Sequence, residues 1–274
     1  MFSRCLSLCM LCFIPASARV LRVCADPNNL PFSNQAGEGF ENKLAQLLAK
    51  DIGASLEYFW WPERKAFVDK TLNQGRCDVW MGVPHDLNSA LTTAPYYRST
   101  YVVVSRKDRA LEINSLLDPN LEKYRIGIHI VGDDYAPPAN ILARRGLTVN
   151  LVGFSLFGKT GEANPPARLI EAVTRGDVDL AIVWGPFAGY FAERAQVPLV
   201  ITPVLPTMFA GVPFTYDISA AVRKTDSALK AEIDAALVRE CKTIRSLLDA
   251  YRIPQLTEEM LPCVSSPPVS ASLR

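Results

Sequence analysis

The sequence predicts an α/β protein of two similar lobes, each built on a parallel-rich sheet, with a cleft between them. Three observations carry this reading. Short apolar strands alternate with segments whose apolar residues share one helix face, an order that covers both faces of a parallel sheet with helices. The alternation runs through the chain twice, and both halves contain a helix followed by Gly-x-x-Asp and a buried strand: Gly75-Arg-Cys-Asp78 and Gly176-Asp-Val-Asp179. The 274 residues, 49% hydrophobic and 21% charged, suffice for two cores and exclude a disordered or collagen-like chain.

In the first half, Leu21–Ala25 reads as a strand and Asp26-Pro-Asn-Asn-Leu-Pro-Phe32 as a turn-rich loop. Phe40–Leu48 carries apolar residues at positions 40, 44, 47 and 48, the spacing of one helix face. Ser55–Trp60 follows as a strand, Lys65–Leu72 as a helix and Asp78–Val83 as a third strand. The second half repeats the order: strand Arg125–Ile130, helix Pro138–Arg145, strand Thr148–Val152, helix Ala167–Thr174, strand Leu180–Trp184. At each twin junction the Gly supplies the left-handed residue that ends a helix. Tyr101–Ser105 and Asp217–Val222 are the expected crossings between lobes, and a helix over Ala228–Ala250 returns to the first. The expected division is residues 19–105 with 212–274 as one lobe and 106–211 as the other.

Met1–Ala18 combines an early Arg4, an apolar stretch Cys5–Ile14 and the small-x-small ending Ala16-Ser17-Ala18. This is the pattern of a secretory signal peptide cut after Ala18, leaving a soluble exported protein. No other apolar run approaches the roughly 20 residues of a membrane span. Lys+Arg 29 against Asp+Glu 28 gives net charge +1, which provides no basic field for nucleic acid. Cys24, Cys77, Cys241 and Cys263 remain after cleavage, an even number that suggests two disulfides in an oxidising compartment.

Gly153-Phe-Ser-Leu-Phe-Gly158-Lys159-Thr160 matches the phosphate-loop pattern G-x-x-x-x-G-K-[ST]. Such a loop must open directly into a helix, and Asn164-Pro165-Pro166 forbids that here. The two histidines, His85 and His129, lie far apart in sequence, and His129 sits in an apolar strand where a packed imidazole is expected. No nucleophile elbow or spaced Cys pair is present, so neither catalysis, metal nor cofactor is expected. Polar and aromatic residues instead gather where strands end: Asp26, Asn28, Asn29 and Phe32; Trp60 and Trp61; Gly82, Pro84 and His85; Gly132, Asp133, Asp134 and Tyr135; Trp184, Gly185, Pro186 and Tyr190. In this class of fold, strand ends face the ligand cleft.

Thr93-Ala-Pro-Tyr-Tyr97 leading into Tyr101-Val-Val-Val104, with the twin Gly-x-x-Asp junctions, resembles the periplasmic solute-binding proteins of type II fold. Val23–Ser33, Gly132–Pro138, Asn164–Arg168 and Val183–Phe191 resemble one subfamily more specifically, the quinoprotein-dehydrogenase-associated MoxJ/XoxJ proteins of methanol oxidation. The resemblance implies a non-enzymatic periplasmic accessory protein that assists assembly or activation of a methanol dehydrogenase dependent on pyrroloquinoline quinone (PQQ), by binding the enzyme, its PQQ or both at the cleft. A solute receptor of an ABC transporter and an enzyme on the same scaffold are the alternatives. Amino-acid receptors of the superfamily carry an Arg before their Ser-x-Pro-Tyr motif; alignment on Pro95-Tyr96 puts Asp86 at that position, where a carboxylate ligand is repelled. Arg98 stands close enough to substitute, and Tyr96 and Tyr97 join the candidate binding residues. A sheet ordered 2-1-3 makes strands one and three neighbours, which predicts disulfides Cys24–Cys77 and Cys241–Cys263.

Overall fold

The structure, a computed structural model, describes residues 19–132, 134–158 and 162–256. The signal segment lies outside the described residues. Nine strands carry the architecture: β1 (Val20–Ala25), β2 (Ser55–Trp60), β3 (Val79–Pro84), β4 (Tyr97–Arg106), β5 (Ile126–Val131), β6 (Leu151–Ser155), β7 (Leu180–Trp184), β8 (Leu199–Pro203) and β9 (Thr215–Val222). The α-helices are α1 (Phe40–Asp51), α2 (Phe67–Lys70), α3 (Pro137–Arg144), α4 (Ala167–Arg175), α5 (Gly185–Glu193), α6 (Ser227–Arg239) and α7 (Cys241–Ala250).

Eight of the strands form one hydrogen-bonded path, β6-β5-β7-β4-β9-β3-β1-β2, with β8 also on β4. Pairing is parallel within β2-β1-β3 and within β6-β5-β7, and antiparallel at β4 and β9. The ten-residue β4 makes the crossing: Tyr97–Thr100 pairs with β9, whereas Val102–Arg106 lies between β7 and β8. Ser99 and Thr100 are wholly buried at that crossing. Their hydroxyls donate to the carbonyls of Pro254 and Phe214, so no buried polar group is stranded there.

The twin junctions fold alike. Gly75 and Gly176 both take φ near +70° (66° and 78°) at helix ends. The following Asp then clamps the start of the first strand of its lobe: the Arg22 amide donates to Asp78 Oδ2 at 3.1 Å, and the Arg125 amide to Asp179 Oδ2 at 2.9 Å. In each case the arginine side chain returns to the junction glycine, to Gly75 O and Gly176 O respectively. The motif is therefore a strand-to-strand staple used twice, and the Gly and Asp are both needed for it.

One core packs α1, α6 and α7 against the β1-β3-β9 group, around Phe40, Leu44, Val79, Ile233 and Leu248. Two more cover the faces of the β5-β7-β4 group, around Leu169, Val173 and Phe187 on one side and Ile126, Leu142 and Phe214 on the other. Phe32, Trp184 and Tyr251 pack against both the first and second cores and so join the lobes.

Cys24 and Cys77 form the predicted disulfide, with Cα atoms 5.4 Å apart across the β1–β3 pair. Cys241 is also disulfide-bonded; its predicted partner Cys263 lies outside the described residues. Three expectations need correction. The expected strand over Thr148–Val152 starts later, at Leu151, after a 3-10 turn over Leu147–Asn150. The expected helix over Lys65–Leu72 is the single turn α2 followed by a 3-10 turn over Leu72–Gln74. The expected helix over Ala228–Ala250 is two helices that meet at Glu240.

Candidate functional site

The loop after β1 is fixed by the side chain of Asp26, which is buried. One carboxylate oxygen accepts the Asn28 amide at 2.8 Å and the other the Glu63 amide at 2.7 Å. The loop and the segment 61–65 after β2 are thus braced as one unit. From that unit three contacts cross to the other lobe. The Asn28 side-chain amide donates to Glu162 O at 2.6 Å and its oxygen accepts the Asn164 amide at 3.3 Å. The Arg64 guanidinium lies 5.3 Å from the centre of the Phe157 ring. These contacts separate two openings: a cavity of about 390 Å³ lined by residues including Asp26, Asn28, Asn29, Gln35 and Leu156, and a groove of about 810 Å³ between Glu63, Arg64 and Lys65 on one side and Val131, Gly132 and Ser155 on the other. Arg64, Phe157 and Gly158 line both.

Two carboxyls are tied in here: Glu63 of the braced segment, half-buried, and Glu41, buried. Glu63 accepts from Trp80 Nε1 at 2.8 Å and from Asn29 Nδ2 at 3.3 Å. Burial, with the negative charge of Asp26 adding to it, pushes the Glu63 carboxyl up to about 7 against the pull of those two hydrogen bonds. Glu41, on the first turn of α1, is buried. The Tyr96 hydroxyl accepts the Gly82 amide at 2.9 Å and donates to Glu41 Oε1 at 3.4 Å. Burial, and then the nearness of Glu63, holds the Glu41 carboxyl well above the ordinary carboxylate range. Gly82 has φ +75°, and a Cβ there would come within 2.2 Å of Glu41 Oε1, so β3 carries a glycine because the glutamate occupies its side-chain space.

The other predicted residues divide between openings, core and surface. Asp26, Asn28 and Asn29 line the cavity and Gly132 the groove; Trp61 and Tyr135 are exposed. Phe32 packs between Phe40 and Phe187. Tyr96 and Tyr97 are buried in the first core. Trp184 packs against Tyr101 and Tyr216, and Gly185 begins α5 where a Cβ would meet Ser99 and Thr100. His85 Nδ1 lies 2.9 Å from Ser219 Oγ and 3.1 Å from Thr93 O. Asp133 lies outside the described residues. Arg98 is held by Asp217 in a two-pronged ion pair of 2.6 and 2.7 Å. His129 is packed edge-on against Phe187, and burial lowers it to about 4. Among the described residues no three His, Cys, Asp or Glu side chains converge as a metal site, and no helix is long and apolar enough to cross a membrane. The phosphate-loop match does not lead into a helix, since α4 opens only at Ala167 beyond Pro165-Pro166. Glu41, Glu63, Arg64 and Phe157 were missed in the sequence; Gly82, a glycine inside a strand, was the one signal of the buried glutamate.

Two lobes joined by crossing strands, with a cleft spanned by side-chain contacts, define a two-lobed binding protein of the periplasmic type II architecture. Residues 21–250 match the bacterial extracellular solute-binding proteins, family 3, and the chain belongs to that family. Within it, the chain is 32% identical over 251 residues to Protein MoxJ of Methylorubrum extorquens strain AM1, covering 87% of this chain and 82% of that protein. It is 31% identical over 258 residues to Protein MoxJ of Paracoccus denitrificans, covering 90% of each. Among solved structures it is similar to MxaJ from Methlophaga aminisulfidivorans MPT (TM-score 0.74, 31% identity, 86% of this chain and 100% of that one). It is also similar to the periplasmic binding protein XoxJ from Methylobacterium extorquens AM1 (TM-score 0.70, 33% identity, 87% and 100%). An ancestral cationic amino-acid solute-binding protein shares the fold at 21% identity and TM-score 0.64.

Proposed function

We propose that this chain is a non-catalytic periplasmic accessory protein that assists assembly or activation of a PQQ-dependent methanol dehydrogenase, docking on it through the mouth of the cleft. The likeness to MoxJ, MxaJ and XoxJ supports the system in which it works. The observation that carries the reading against a receptor for carboxylate solutes is the state of the cleft's charges. Arg98 is paired with Asp217, and the ionisable groups gathered beside the loop are acids, Asp26, Glu41 and Glu63, the last two pushed toward their neutral forms. Among the residues that line the cavity the one cation is Arg64, which is exposed, so a ligand carboxylate finds no enclosed guanidinium to hold it. The exposed aromatics Trp61 and Tyr135 are residue types that dominate protein interfaces.

A second reading, binding of a small polar ligand such as PQQ, is favoured by the amide-lined cavity of about 390 Å³. The test is binding of the purified mature protein to the dehydrogenase, with Trp61→Ala and Tyr135→Ala combined as the weakened variant. Calorimetry with a panel of α-amino acids and scattering with and without PQQ complete it. Micromolar binding of any amino acid restores the receptor reading, and lobe closure driven by PQQ alone makes the cleft a ligand trap.

A further inference from the structure

The groove of about 810 Å³ between the lobes is uneven in charge. From the first lobe it receives Glu63, Arg64 and Lys65, from the second Val131, Gly132, Ser155, Phe157 and Gly158. The Glu63 carboxyl is engaged by Trp80 and Asn29, which leaves Arg64 and Lys65 as the charges turned toward a partner. Both are exposed, and among the described residues neither has an ion-pair partner. The cation nearest the opposite wall, Arg64, is positioned by the Phe157 ring. A contact with the aromatic face uses none of the guanidinium's N–H donors and leaves them available for a carboxylate. Val131, on the far wall, is 43% exposed, and Tyr135, which pairs with Ile130 next to it, is 52% exposed.

The geometry points to this groove as the seat of an acidic, extended loop of a partner protein, its carboxylates on Arg64 and Lys65 and its apolar side chains over Val131 and Tyr135. Charge complementarity selects the acidic loop, because the one acid that lines the groove, Glu63, is taken up by Trp80 and Asn29, and the two cations left facing it repel a basic segment. A free small carboxylate satisfies the cations alone and leaves Tyr135 and Val131 in water. This inference rests on the proposed role as a protein partner and adds the chemistry of the docking element.

The experiment measures association of the mature protein with purified PQQ-dependent methanol dehydrogenase at low and at physiological salt. Arg64→Glu combined with Lys65→Glu is expected to weaken binding by about tenfold or more and to flatten its salt dependence. Lys65→Arg keeps the affinity but abolishes the Lys65 adduct made by carbodiimide coupling to a partner carboxylate. Both sites are exposed, and unchanged thermal unfolding confirms that the variants fold. A complex indifferent to charge reversal overturns this inference and leaves the accessory role standing. Absence of any complex with the native protein overturns both. Displacement of the dehydrogenase by free PQQ, lost in the charge-reversed variant, overturns the loop in favour of a small carboxylate.

Discussion

Replacing Glu63 by Gln removes an ionisation that the folded chain opposes. The carboxyl is raised from 4.5 to about 7, chiefly by burial and next by Asp26, while Trp80 and Asn29 work in the other direction. At about 1.4 kcal/mol per pH unit, ionising it in the folded state costs about 3 kcal/mol relative to the unfolded chain. The folded state binds the proton more tightly than the unfolded state. Its stabilising effect is therefore complete below pH 4.5, is lost as pH rises through about 7, and is gone above that. Glu63→Gln keeps an oxygen for the Trp80 donor and carries no charge. The stability difference between variant and native protein should grow by about 3 kcal/mol from acid to slightly alkaline pH and then level off. His129, lowered to about 4 by burial, works in the opposite sense and loses stability as pH falls from 6.5, but it is common to both proteins and cancels. Urea unfolding of the pair across this range, read by tryptophan fluorescence, is the assay. A difference that stays constant between pH 4.5 and 8 would refute the enclosed, charge-crowded environment assigned to Glu63.

Two further outcomes follow from the same region. Gly82→Ala should destabilise clearly more than Gly75→Ala: both glycines have positive φ (75° and 66°), but only at position 82 does the added carbon meet an atom, Glu41 Oε1 at 2.2 Å. Equal unfolding midpoints for the two variants would contradict the claim that Glu41 fills the side-chain space of Gly82. Cys24→Ala with Cys77→Ala should cost about 4 kcal/mol, the chain-entropy value for a loop of 53 residues. An unchanged guanidinium midpoint would show that this bridge constrains nothing.

The repeated strand-helix order was legible because buried parallel strands are continuous apolar runs, and the Gly-x-x-Asp junctions because each residue has its own task, the Gly a left-handed φ and the Asp a clamp on a strand amide. Legibility failed where tertiary contacts overrule local preference. Thr148, Val149 and Asn150 have strand-like alternation, yet the Asn150 side chain donates to the carbonyls of Glu122 and Tyr124 and holds this stretch as a turn. No strand was expected at Leu199–Pro203, a five-residue run ending in proline. Such a strand is tolerated because β8 has a single partner, β4, and sits at an edge where a missing N–H breaks no central ladder.

The site was less legible for a different reason: its decisive groups look ordinary in sequence. A Glu on the first turn of a helix reads as a complement to the helix dipole, and Trp61-Pro-Glu-Arg-Lys65 reads as a solvated charge run. Only the sheet order, by placing β3 beside β1 and the loop of Asp26 beside Glu63, encloses them. Arg98 offers the converse case. Read along the chain it is a free cation next to the expected carboxylate anchor; its partner Asp217 arrives from β9, 119 residues later. Together these placements invert what a carboxylate receptor requires. The groups gathered beside the loop after β1 are acids, Arg98 is already paired with Asp217, and the cations without an ion-pair partner among the described residues, Arg64 and Lys65, are exposed at the groove. An acidic ligand finds no enclosed cation inside and two exposed ones at the mouth, so a partner that reads this surface has no need to enter the cleft.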